Sequence, residues 1–579
     1  MKDYSYDNRK YILSGVVILV LITYIIQIYN LQIKENDYKS KADSNAFYKK
    51  TVYPARGLIY DRNGKLIVYN RPSYDITFVP REIKGVDTLE LCKALDITPD
   101  EFNKRMERVK NRRYNPGYST YTEQDFMTLL TGEEFARFQE KMFRFPGFYV
   151  RKRSIREYNY DVAGVLLGDI GEVSQKVLER DSYYRQGDYI GLQGIESSYE
   201  NVLRGKKGTE VLLRDARGRI QGKYQNGALD TAAVRGKDIT LSLDIELQAL
   251  GERLMENKIG SIVAIEPSTG EILCMVSAPS YDPSLLAGRQ RGENHKELAL
   301  DKNKPLLNRA IMGTYPPGST FKTSQAAVFL QEGIVTPRTS FPCNEGFIFN
   351  NFRLGCHPHS SPTSLAPAIA TSCNAYFCYV FRNILENKKM YSIAKDGFES
   401  WRDYVISFGF GRKLDSDFLG EGAGFVPTRE FYDKRFHKSW NALSILSLSI
   451  GQGELGCTPL QMANLAAIVA NRGYYYIPHI VREIEGQDSI DTRFYQKHYT
   501  KVDSKHFNHI VEGMWRGVNR DGTCQGAYLK GLDVCGKTGT AQNSKGEDHS
   551  TFISFAPRNN PKIAIAVYVE HGGFGAEMA

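Results

Sequence analysis

The sequence predicts an α+β protein with one N-terminal transmembrane helix, a mixed α/β domain, and a C-terminal domain whose antiparallel sheet is flanked by helices. Its 579 residues exceed the roughly 250–300 that one hydrophobic core usually serves, which indicates more than one domain. An uncharged apolar run occupies residues 11–29, and the residue pattern changes near Arg235-Gly236. After that change come strands, then helices, then strands joined by short turns, the order typical of an antiparallel sheet covered by helices.

The run YILSGVVILVLITYIIQIY at 11–29 is long enough to cross a bilayer, since about 17–25 apolar residues suffice as a helix. A signal peptide would have an apolar core of only about 7–15 residues and a small-residue cleavage site, which this stretch does not show. Three basic residues precede the run, and the first one after it is Lys34. The positive-inside rule therefore predicts a cytoplasmic tail at 1–10 and an extracytoplasmic body. The alternative is a buried core helix.

The body divides into two predicted domains, at 30–236 and 237–579. The first contains GLIYDRNGKLIVYN at 57–70, in which an Asn-Gly turn between β-like segments is a strong hairpin signal. The second begins with a strand that runs into an amphipathic helix, followed by two strands joined by a Ser-Thr-Gly turn. Helices are clearest at 324–330 and 461–470, and strands return at the end.

Composition narrows the possible partners. With 42% hydrophobic and 24% charged residues, the chain resembles an ordinary globular protein. The formal net charge is +9, and the basic residues are scattered, so a nucleic-acid partner is not favoured. Attraction to an anionic polymer or a membrane surface remains compatible with this charge.

The first chemical motif is YPPGSTFKTSQAAVFLQEG, which places Ser319 and Lys322 three residues apart. Pro-Pro-Gly disfavours a helix, whereas STFKTSQAAVFL forms one readily, so both side chains are predicted on one face of a first helical turn. A serine hydroxyl is a weak nucleophile that needs an adjacent base. Lysine can be that base when burial and the helix N-terminus lower its pKa. Alone, the pattern also fits a capping serine beside a solvated lysine.

Two further motifs follow along the chain. TSCNAYF places Ser372 and Asn374 two residues apart, and GKTGTAQ supplies Lys537, Thr538 and Gly539 in an apolar strand context. A glycine there would let a ligand backbone lie close to the strand. Each fragment is common, but together, in the order S-x-x-K, S-x-N, K-T-G and separated by about 50 and 160 residues, they are a strong signal.

These motifs resemble those described for the penicillin-binding proteins and the serine β-lactamases. PARGLIYDRNG at 54–64, GLQGIESSYENVLRGKKG at 191–208 and SLSIGQGELGCTPLQMA at 447–463 are similar to the class B penicillin-binding proteins, and the layout to the elongation-specific transpeptidases among them. The resemblance covers nearly the whole chain. It implies a non-catalytic pedestal domain of the dimerisation type at 30–236 and a penicillin-binding transpeptidase domain at 237–579.

The resemblance implies DD-transpeptidation of peptidoglycan stem peptides that end in D-Ala-D-Ala. Ser319 would attack the penultimate D-Ala carbonyl and expel the terminal D-Ala, and the amine of a second stem peptide would resolve the acyl-enzyme into a cross-link. Lys322 would take the Ser319 proton. Ser372 would relay a proton toward the leaving amine, and Asn374 would hold Lys322 and the substrate amide. β-Lactam antibiotics mimic D-Ala-D-Ala and are expected to acylate Ser319 without rapid release.

The same resemblance assigns the substrate-binding roles. Lys537 would add positive potential, and Thr538 and Thr540, on either side of Gly539, would bind the terminal carboxylate. The backbone N–H groups of Ser319 and Thr540 would form an oxyanion hole, a contribution of about 3–4 kcal/mol per donor in comparable enzymes.

Partners and localisation are also implied by the family. The pedestal would dock a SEDS-family glycosyltransferase and rod-complex scaffold proteins, or it would be a simple spacer. The helix at 11–29 would lie in the cytoplasmic (inner) membrane, with the catalytic domain in the periplasm. Two other functions stay open: a β-lactam sensor or binding protein that acylates without cross-linking, and a D,D-carboxypeptidase in which water replaces the acceptor amine. Both predict covalent labelling by penicillin.

A cluster of metal-ligand residues lies between the first motif and Asn374. Cys343, Cys356, His359 and Cys373 could complete a tetrahedral zinc site of a structural kind, with His359 preferred over His357 because Cys356-x-x-His359 has ligand spacing. A Cys343–Cys356 disulfide would suit an oxidising compartment, although an odd total of nine cysteines leaves at least one unpaired. Buried thiols with surface histidines are the third possibility.

Two further expectations concern local structure. As the central residue of Ser-Cys-Asn, Cys373 would point away from Ser372 and Asn374 if the segment is extended. Relatives in the family continue with a helix that packs on the catalytic sheet, and because this sequence stops at HGGFGAEMA, that helix is expected to be missing.

Overall fold

The computed structural model describes residues 7–29, 47–115, 118–214, 220–350, 352–543 and 546–579. The chain forms two compact units, one made of the described residues up to 55 with 205–236, and one made of 56–204 with 237–579.

The smaller unit contains one long helix and one small sheet. The helix is Asp7–Tyr29, and an 18-residue window within its segment Arg9–Tyr29 has a mean hydropathy of 2.4 and is not buried. It is therefore long and apolar enough to cross a membrane, as the sequence predicts. The sheet is antiparallel, with strands in the order Phe47–Val52, Gly208–Arg214, Ile220–Lys223.

The larger unit contains a six-stranded mixed sheet. The order is Val481–Ile484, Ile239–Leu241, Ile59–Tyr60, Leu66–Phe78 and Gln124–Leu130, and Phe148–Tyr158 also pairs with Leu66–Phe78. The predicted hairpin at 57–70 is confirmed, with Gly64 at a φ of +78° in its turn. Because the strand at 239–241 pairs with the one at 59–60, this sheet crosses the predicted domain boundary at 236/237.

The second sheet of the larger unit is five-stranded and fully antiparallel, which confirms the predicted sheet class. Its strands run in the order Ile272–Ala278, Gly260–Ile265, Ile563–Val569, His549–Ala556, Cys535–Ala541. The buried helix Pro459–Ala470 contacts one face through Met462 at Thr551, and the helix Ile245–Leu254 contacts the other through Gly251 at Val276. Alternate strand residues point to opposite faces, so the sheet is enclosed between helices as expected.

The remaining elements are helices and two-stranded pairs. The predicted helices at 324–330 and 461–470 are confirmed within Lys322–Gln331 and Pro459–Ala470. The other helices are Thr88–Leu95, Pro99–Lys110, Gly132–Gln139, Gly164–Leu167, Gln175–Arg180, Gly194–Ser198, Glu200–Leu203, Arg291–Leu300, Arg309–Met312, Leu365–Ala370, Asn374–Leu385, Ala394–Ser407, Arg429–Arg435, Ser504–Asn519 and Gly575–Met578. The other strands form two-stranded pairs, namely Ile170–Glu172 with Tyr189–Gly191, Ser340–Phe341 with Thr363–Ser364, Gly346–Phe349 with Phe352–Gly355, and Tyr474–Tyr475 with His498–Tyr499.

Candidate active site

Ser319 lies in a tight turn immediately before a buried helix. The turn is a 3₁₀ helix, Gly318–Phe321, and the α-helix begins only at Lys322. Because side chains three residues apart eclipse each other in a 3₁₀ turn, Ser319 and Lys322 still project to the same side. Gly318 has a φ of +56°, and a Cβ there would lie 2.8 Å from the carbonyl oxygen of Thr540, so glycine is required.

The Lys322 side chain is fully buried and contacts the S-x-N motif. Its Nζ donates hydrogen bonds to Asn374 Oδ1 at 2.6 Å and to the Ser372 carbonyl oxygen at 2.8 Å, and lies 3.3 Å from Ser372 Oγ. Burial lowers the pKa of Lys322 from 10.5 to about 8. The neutral fraction of this amine at pH 7 is therefore about one in ten, against about one in 3,000 for an unshifted lysine.

Ser372 and Asn374 lie at a junction between two helices, so the Ser-Cys-Asn segment is not extended. Ser372 has a left-handed φ of +58°, a conformation that costs a non-glycine residue about 1–3 kcal/mol. Asn374 begins the helix Asn374–Leu385, and Cys373 caps it by accepting the Tyr376 N–H on Sγ at 3.3 Å. Cys373 is nevertheless fully buried, because the turn at Ser372, rather than strand alternation, directs its side chain inward.

The K-T-G motif lies on the edge strand Cys535–Ala541 of the five-stranded sheet. Lys537 is almost fully buried, and its Nζ donates to the Thr538 carbonyl oxygen at 2.7 Å. Burial lowers the pKa of Lys537 from 10.5 to about 7. At neutral pH this amine is therefore divided between its charged and neutral forms.

Gly539 brings the K-T-G strand against the nucleophile turn. A Cβ at Gly539 would lie 2.6 Å from Thr551 Cγ2 and 3.1 Å from the backbone nitrogen of Ser319. The sequence suggested that this glycine makes room for a ligand, but the backbone that approaches it in the structure is that of Ser319 and Thr320. Any side chain here would separate Ser319 from Thr540.

One cavity of about 650 Å³ joins the three motifs. Of the residues singled out by the sequence, its lining includes Ser319, Ser372, Asn374, Thr538, Gly539 and Thr540. Lys322 and Lys537 lie buried behind this lining and touch it through the contacts described above. The arrangement places a serine hydroxyl, two shielded amines and several hydroxyl donors around one space.

The lining also contains residues to which the sequence assigned no role. Among them are Ser447, Gln452, Thr523 and Phe574. Gln452 Nε2 donates to the Thr540 carbonyl oxygen at 3.4 Å. Ser447 and Gln452 belong to the stretch at 447–463 that supported the family resemblance, whereas Thr523 and Phe574 lie outside every motif that the sequence analysis used.

The predicted metal ligands converge beside Asn374. One ligand atom from each of Cys343, Cys356, His359 and Cys373 lies within 4.8 Å of the others. Cys343 and Cys373 are buried, and Cys356 and His359 are half-buried. All nine cysteines are free thiols in the structure. His357 is exposed instead, and its ring centroid lies 6.2 Å from that of Phe574.

The donor set fits a zinc ion. His359 Nδ1 lies 2.8 Å from the Ser360 carbonyl oxygen, while Nε2 is buried and has no hydrogen-bond partner among the described residues. Three cysteine sulfurs with one such imidazole nitrogen are a typical tetrahedral zinc set. Hydrogen bonds from the Cys373 thiol and the Ala375 N–H lower the pKa of Cys356, which favours the thiolate that a metal needs.

The Cys356 sulfur also connects the cluster to the catalytic segment. It accepts the backbone N–H of Asn374 at 3.0 Å and that of Ala375 at 3.3 Å. Asn374 Nδ2 in turn donates to the Gly355 carbonyl oxygen at 2.7 Å. The position of Asn374 therefore depends directly on the loop that carries Cys356.

Two family descriptions match this chain over most of its length. Residues 260–579 match the penicillin-binding protein transpeptidase domain, and residues 51–241 match the penicillin-binding protein dimerisation domain. The chain is 32% identical to the peptidoglycan D,D-transpeptidase MrdA of Acinetobacter baumannii, covering 99% of this chain and 86% of that protein. It is 30% identical to MrdA of Escherichia coli K12, covering 99% and 93%.

Solved structures agree with these relatives. Penicillin-binding protein 2 of Helicobacter pylori, solved in complex with MreC, matches with a TM-score of 0.75 at 25% identity, covering 92% of this chain and 96% of that one. A chain of a peptidoglycan synthase complex that coordinates polymerization and crosslinking matches with a TM-score of 0.70 at 26% identity, covering 98% and 96%. Because both domain families match and the MrdA relatives align over nearly the full length, the chain belongs to the class B penicillin-binding proteins, in the penicillin-binding protein 2 group of peptidoglycan D,D-transpeptidases.

Proposed function

We propose that the chain cross-links peptidoglycan stem peptides in cell-wall elongation through a serine acyl-enzyme. Ser319 Oγ attacks the carbonyl carbon of the penultimate D-Ala, the peptide bond to the terminal D-Ala breaks, and D-Ala leaves as a free amino acid. The amine of a second stem peptide then attacks the ester. This step forms the new peptide bond and returns the proton to Ser319.

The buried amine of Lys322 supports its role as the base. In its neutral form it takes the Ser319 proton, and its bonds to the Ser372 carbonyl and to Asn374 fix its position. Ser372 Oγ, 3.3 Å from Lys322 Nζ, then passes a proton to the leaving D-Ala amine. The contact of Lys322 with both Ser372 and Asn374, at the cavity that contains Ser319, is the observation that carries the proposal.

The K-T-G strand holds the other end of the substrate. The hydroxyl groups of Thr538 and Thr540 bind the terminal carboxylate, and Lys537 in its charged form supplies a favourable potential. The N–H groups of Ser319 and Thr540 point to the developing oxyanion, a contribution of about 3–4 kcal/mol per donor in comparable enzymes. The close approach of Gly539 to the Ser319 backbone supports this pairing.

The function is tested with the full chain in detergent, a partner polymerase and lipid II. We expect dimeric muropeptides, and we expect mass spectrometry after exposure to penicillin to place the acyl group on Ser319. A D,D-carboxypeptidase would give only trimmed tetrapeptides, and a β-lactam sensor would be acylated but give neither product. An acyl group on any other residue would contradict the mechanism.

We further propose that Cys343, Cys356, His359 and Cys373 hold a structural zinc ion. Bound there, zinc would tie the loop around Cys356 to the start of the helix that carries Asn374, with all four positions filled by protein. The free Nε2 of His359 and the N–H bonds to the Cys356 sulfur support this role. The zinc would therefore act on catalysis through the positions of Ser372 and Asn374, the neighbours of Cys373, and not by contact with the substrate.

We expect the purified chain to contain about one zinc per molecule by inductively coupled plasma mass spectrometry. Cys356→Ser should lose the zinc and lower the unfolding temperature by several degrees, because metal binding in such sites contributes directly to folding stability. Cys92→Ser, at a buried thiol outside the cluster, is the matched control and should keep the zinc. Zinc below a tenth of an equivalent, together with a mapped Cys343–Cys356 disulfide, would overturn the proposal.

The helix and the pedestal support two proposals about location and assembly. We propose that Asp7–Tyr29 anchors the chain in the cytoplasmic membrane with the catalytic domain in the periplasm, which protease accessibility in spheroplasts would test. We also propose that the domain at 51–241 docks a SEDS-family glycosyltransferase and rod-complex scaffold proteins. The complex of a relative with MreC and the peptidoglycan synthase complex that contains a similar chain support assembly with partners of this kind. Loss of co-purification on deletion of that domain, with retained penicillin labelling, would support docking over a spacer.

A further inference from the structure

Thr523 occupies the gap between the S-x-N and K-T-G motifs. Its Oγ1 lies 2.7 Å from Thr538 Oγ1, and its backbone N–H donates to the Ala370 carbonyl oxygen at 3.1 Å, two residues before Ser372. Thr523 is half-buried and lines the same cavity as Ser319. It therefore touches the strand that binds the substrate and the segment that carries the proton relay.

The residues next to Thr523 make its position rigid. A Cβ at Gly522 would lie 2.3 Å from Gly517 Cα and 2.8 Å from the Ala370 carbonyl oxygen, so this segment fits only without a side chain there. The Cys524 thiol accepts the Thr538 N–H at 3.2 Å, and the Cys524 N–H donates to the Gly517 carbonyl oxygen at 2.9 Å. The backbone N–H and the hydroxyl of Thr538 therefore contact two consecutive residues, Cys524 and Thr523.

We propose that Thr523 is a positioning residue that orients the Thr538 hydroxyl toward the carboxylate of the acyl donor. The inference rests on the proposed function, in which Thr538 binds that carboxylate. A hydroxyl has one hydrogen and two acceptor sites. If Thr523 donates to Thr538 Oγ1, the hydrogen of Thr538 remains for the ligand, and the ligand's carboxylate can only accept.

The count of hydrogens and acceptor sites decides which hydroxyl donates in the Thr523–Thr538 hydrogen bond: Thr523 donates and Thr538 accepts. A bond in the opposite sense would use the only hydrogen of Thr538 and leave its oxygen facing an anionic carboxylate, which is unfavourable. A bond donated by Thr523 also polarises the Thr538 hydroxyl and strengthens the next bond in the chain. Thr523 therefore acts on carboxylate recognition through Thr538, without contacting the reacting carbonyl group.

The test compares a β-lactam acid with its methyl ester, which cannot present a carboxylate. In the full chain, Thr523→Val should lower the second-order rate of Ser319 acylation by the acid about tenfold, as expected for the loss of one supporting hydrogen bond. Acylation by the ester should change less than twofold. Thr523→Ser, which keeps the hydroxyl, should restore most of the rate with the acid.

Two further variants make the outcome decisive. Thr538→Val with Thr523→Val should be no slower than Thr538→Val alone, because Thr523 acts through Thr538. Thr339→Val, which breaks an exposed pair of threonine hydroxyls 3.0 Å apart, is the matched control and should leave both rates unchanged. An equal loss for acid and ester, or additive losses in the double variant, would overturn the inference. Absence of any acylation at Ser319 in the unmodified chain would instead contradict the proposed function.

Discussion

Replacing Ser319 by alanine is expected to reduce covalent labelling by a fluorescent penicillin to background, a loss of at least about 10⁴-fold. The hydroxyl is the group that forms the acyl bond, so no neighbouring donor replaces it. The cavity would keep the N–H groups proposed as oxyanion donors and the threonines proposed to bind the carboxylate, so non-covalent binding of the β-lactam should survive. The measurement is in-gel fluorescence after a time course with the full chain, alongside competition binding with an unreactive ligand.

The control must show that Ser319→Ala loses labelling because the hydroxyl is absent and not because the variant is unfolded. Ser319 is half-buried at the cavity wall, so its truncation should change the unfolding temperature by less than about 2 °C, in line with a change below about 0.5 kcal/mol. Ser268→Ala, at an exposed serine whose hydroxyl donates to the nearby Glu266 carboxylate, is the matched control and should label normally. Labelling that persists in Ser319→Ala would remove the entire acyl-enzyme scheme.

Much of this site could be predicted from the sequence because its chemistry is carried by short, ordered motifs. Three fragments with a fixed order restrict the enzyme class far more than any one of them does. The antiparallel sheet was also predictable, since its end strands are apolar and separated by short turns. The cluster of Cys343, Cys356, His359 and Cys373 was visible from residue type and spacing, and the structure brings all four together.

The features that the sequence did not reveal depend on contacts between distant segments. The orientation expected for Cys373 depended on an extended Ser-Cys-Asn segment, and that condition is not met, because Ser372 has a left-handed φ just before the helix that starts at Asn374. The sheet that crosses residue 236 could not be foreseen, because a strand at 239–241 pairs with one at 59–60, some 180 residues earlier. Thr523 belongs to none of the sequence motifs, and its proposed role in orienting Thr538 became visible only from the distance between their hydroxyl oxygens.

Replacing Lys322 by alanine is expected to lower the rate of Ser319 acylation about 10³-fold, within the 10²–10⁴ range for the loss of a general base. Lys322→Arg separates the base from a merely structural cation. Arginine keeps positive charge and hydrogen-bond donors but does not deprotonate in proteins, so it should recover less than about a tenth of the lost rate. If arginine restored the rate, Lys322 would act by holding Ser372 and Asn374 rather than by accepting a proton.

The pH dependence gives an independent test of the same assignment. Only neutral Lys322 can accept a proton, so the fraction of molecules with this base available should rise about tenfold per pH unit up to its pKa of about 8 and level off above it. Lys537 must be charged to favour a carboxylate, and it loses that charge above its pKa of about 7. The product of the two fractions is a bell-shaped profile with its maximum near pH 7.5, where about one molecule in twenty has both required states.

A β-lactam methyl ester separates the effect of Lys322 on the pH profile from that of Lys537. It offers Lys537 no carboxylate, so its acylation profile should keep the rising limb set by Lys322 and lose the falling limb. In Lys322→Ala the rising limb should vanish for acid and ester alike. A rising limb that persists in this variant would place the titrating base elsewhere in the cavity. The burial of Lys322 and Lys537 would then have no catalytic role. The contacts of Lys322 with Ser372 and Asn374 would only stabilise the structure.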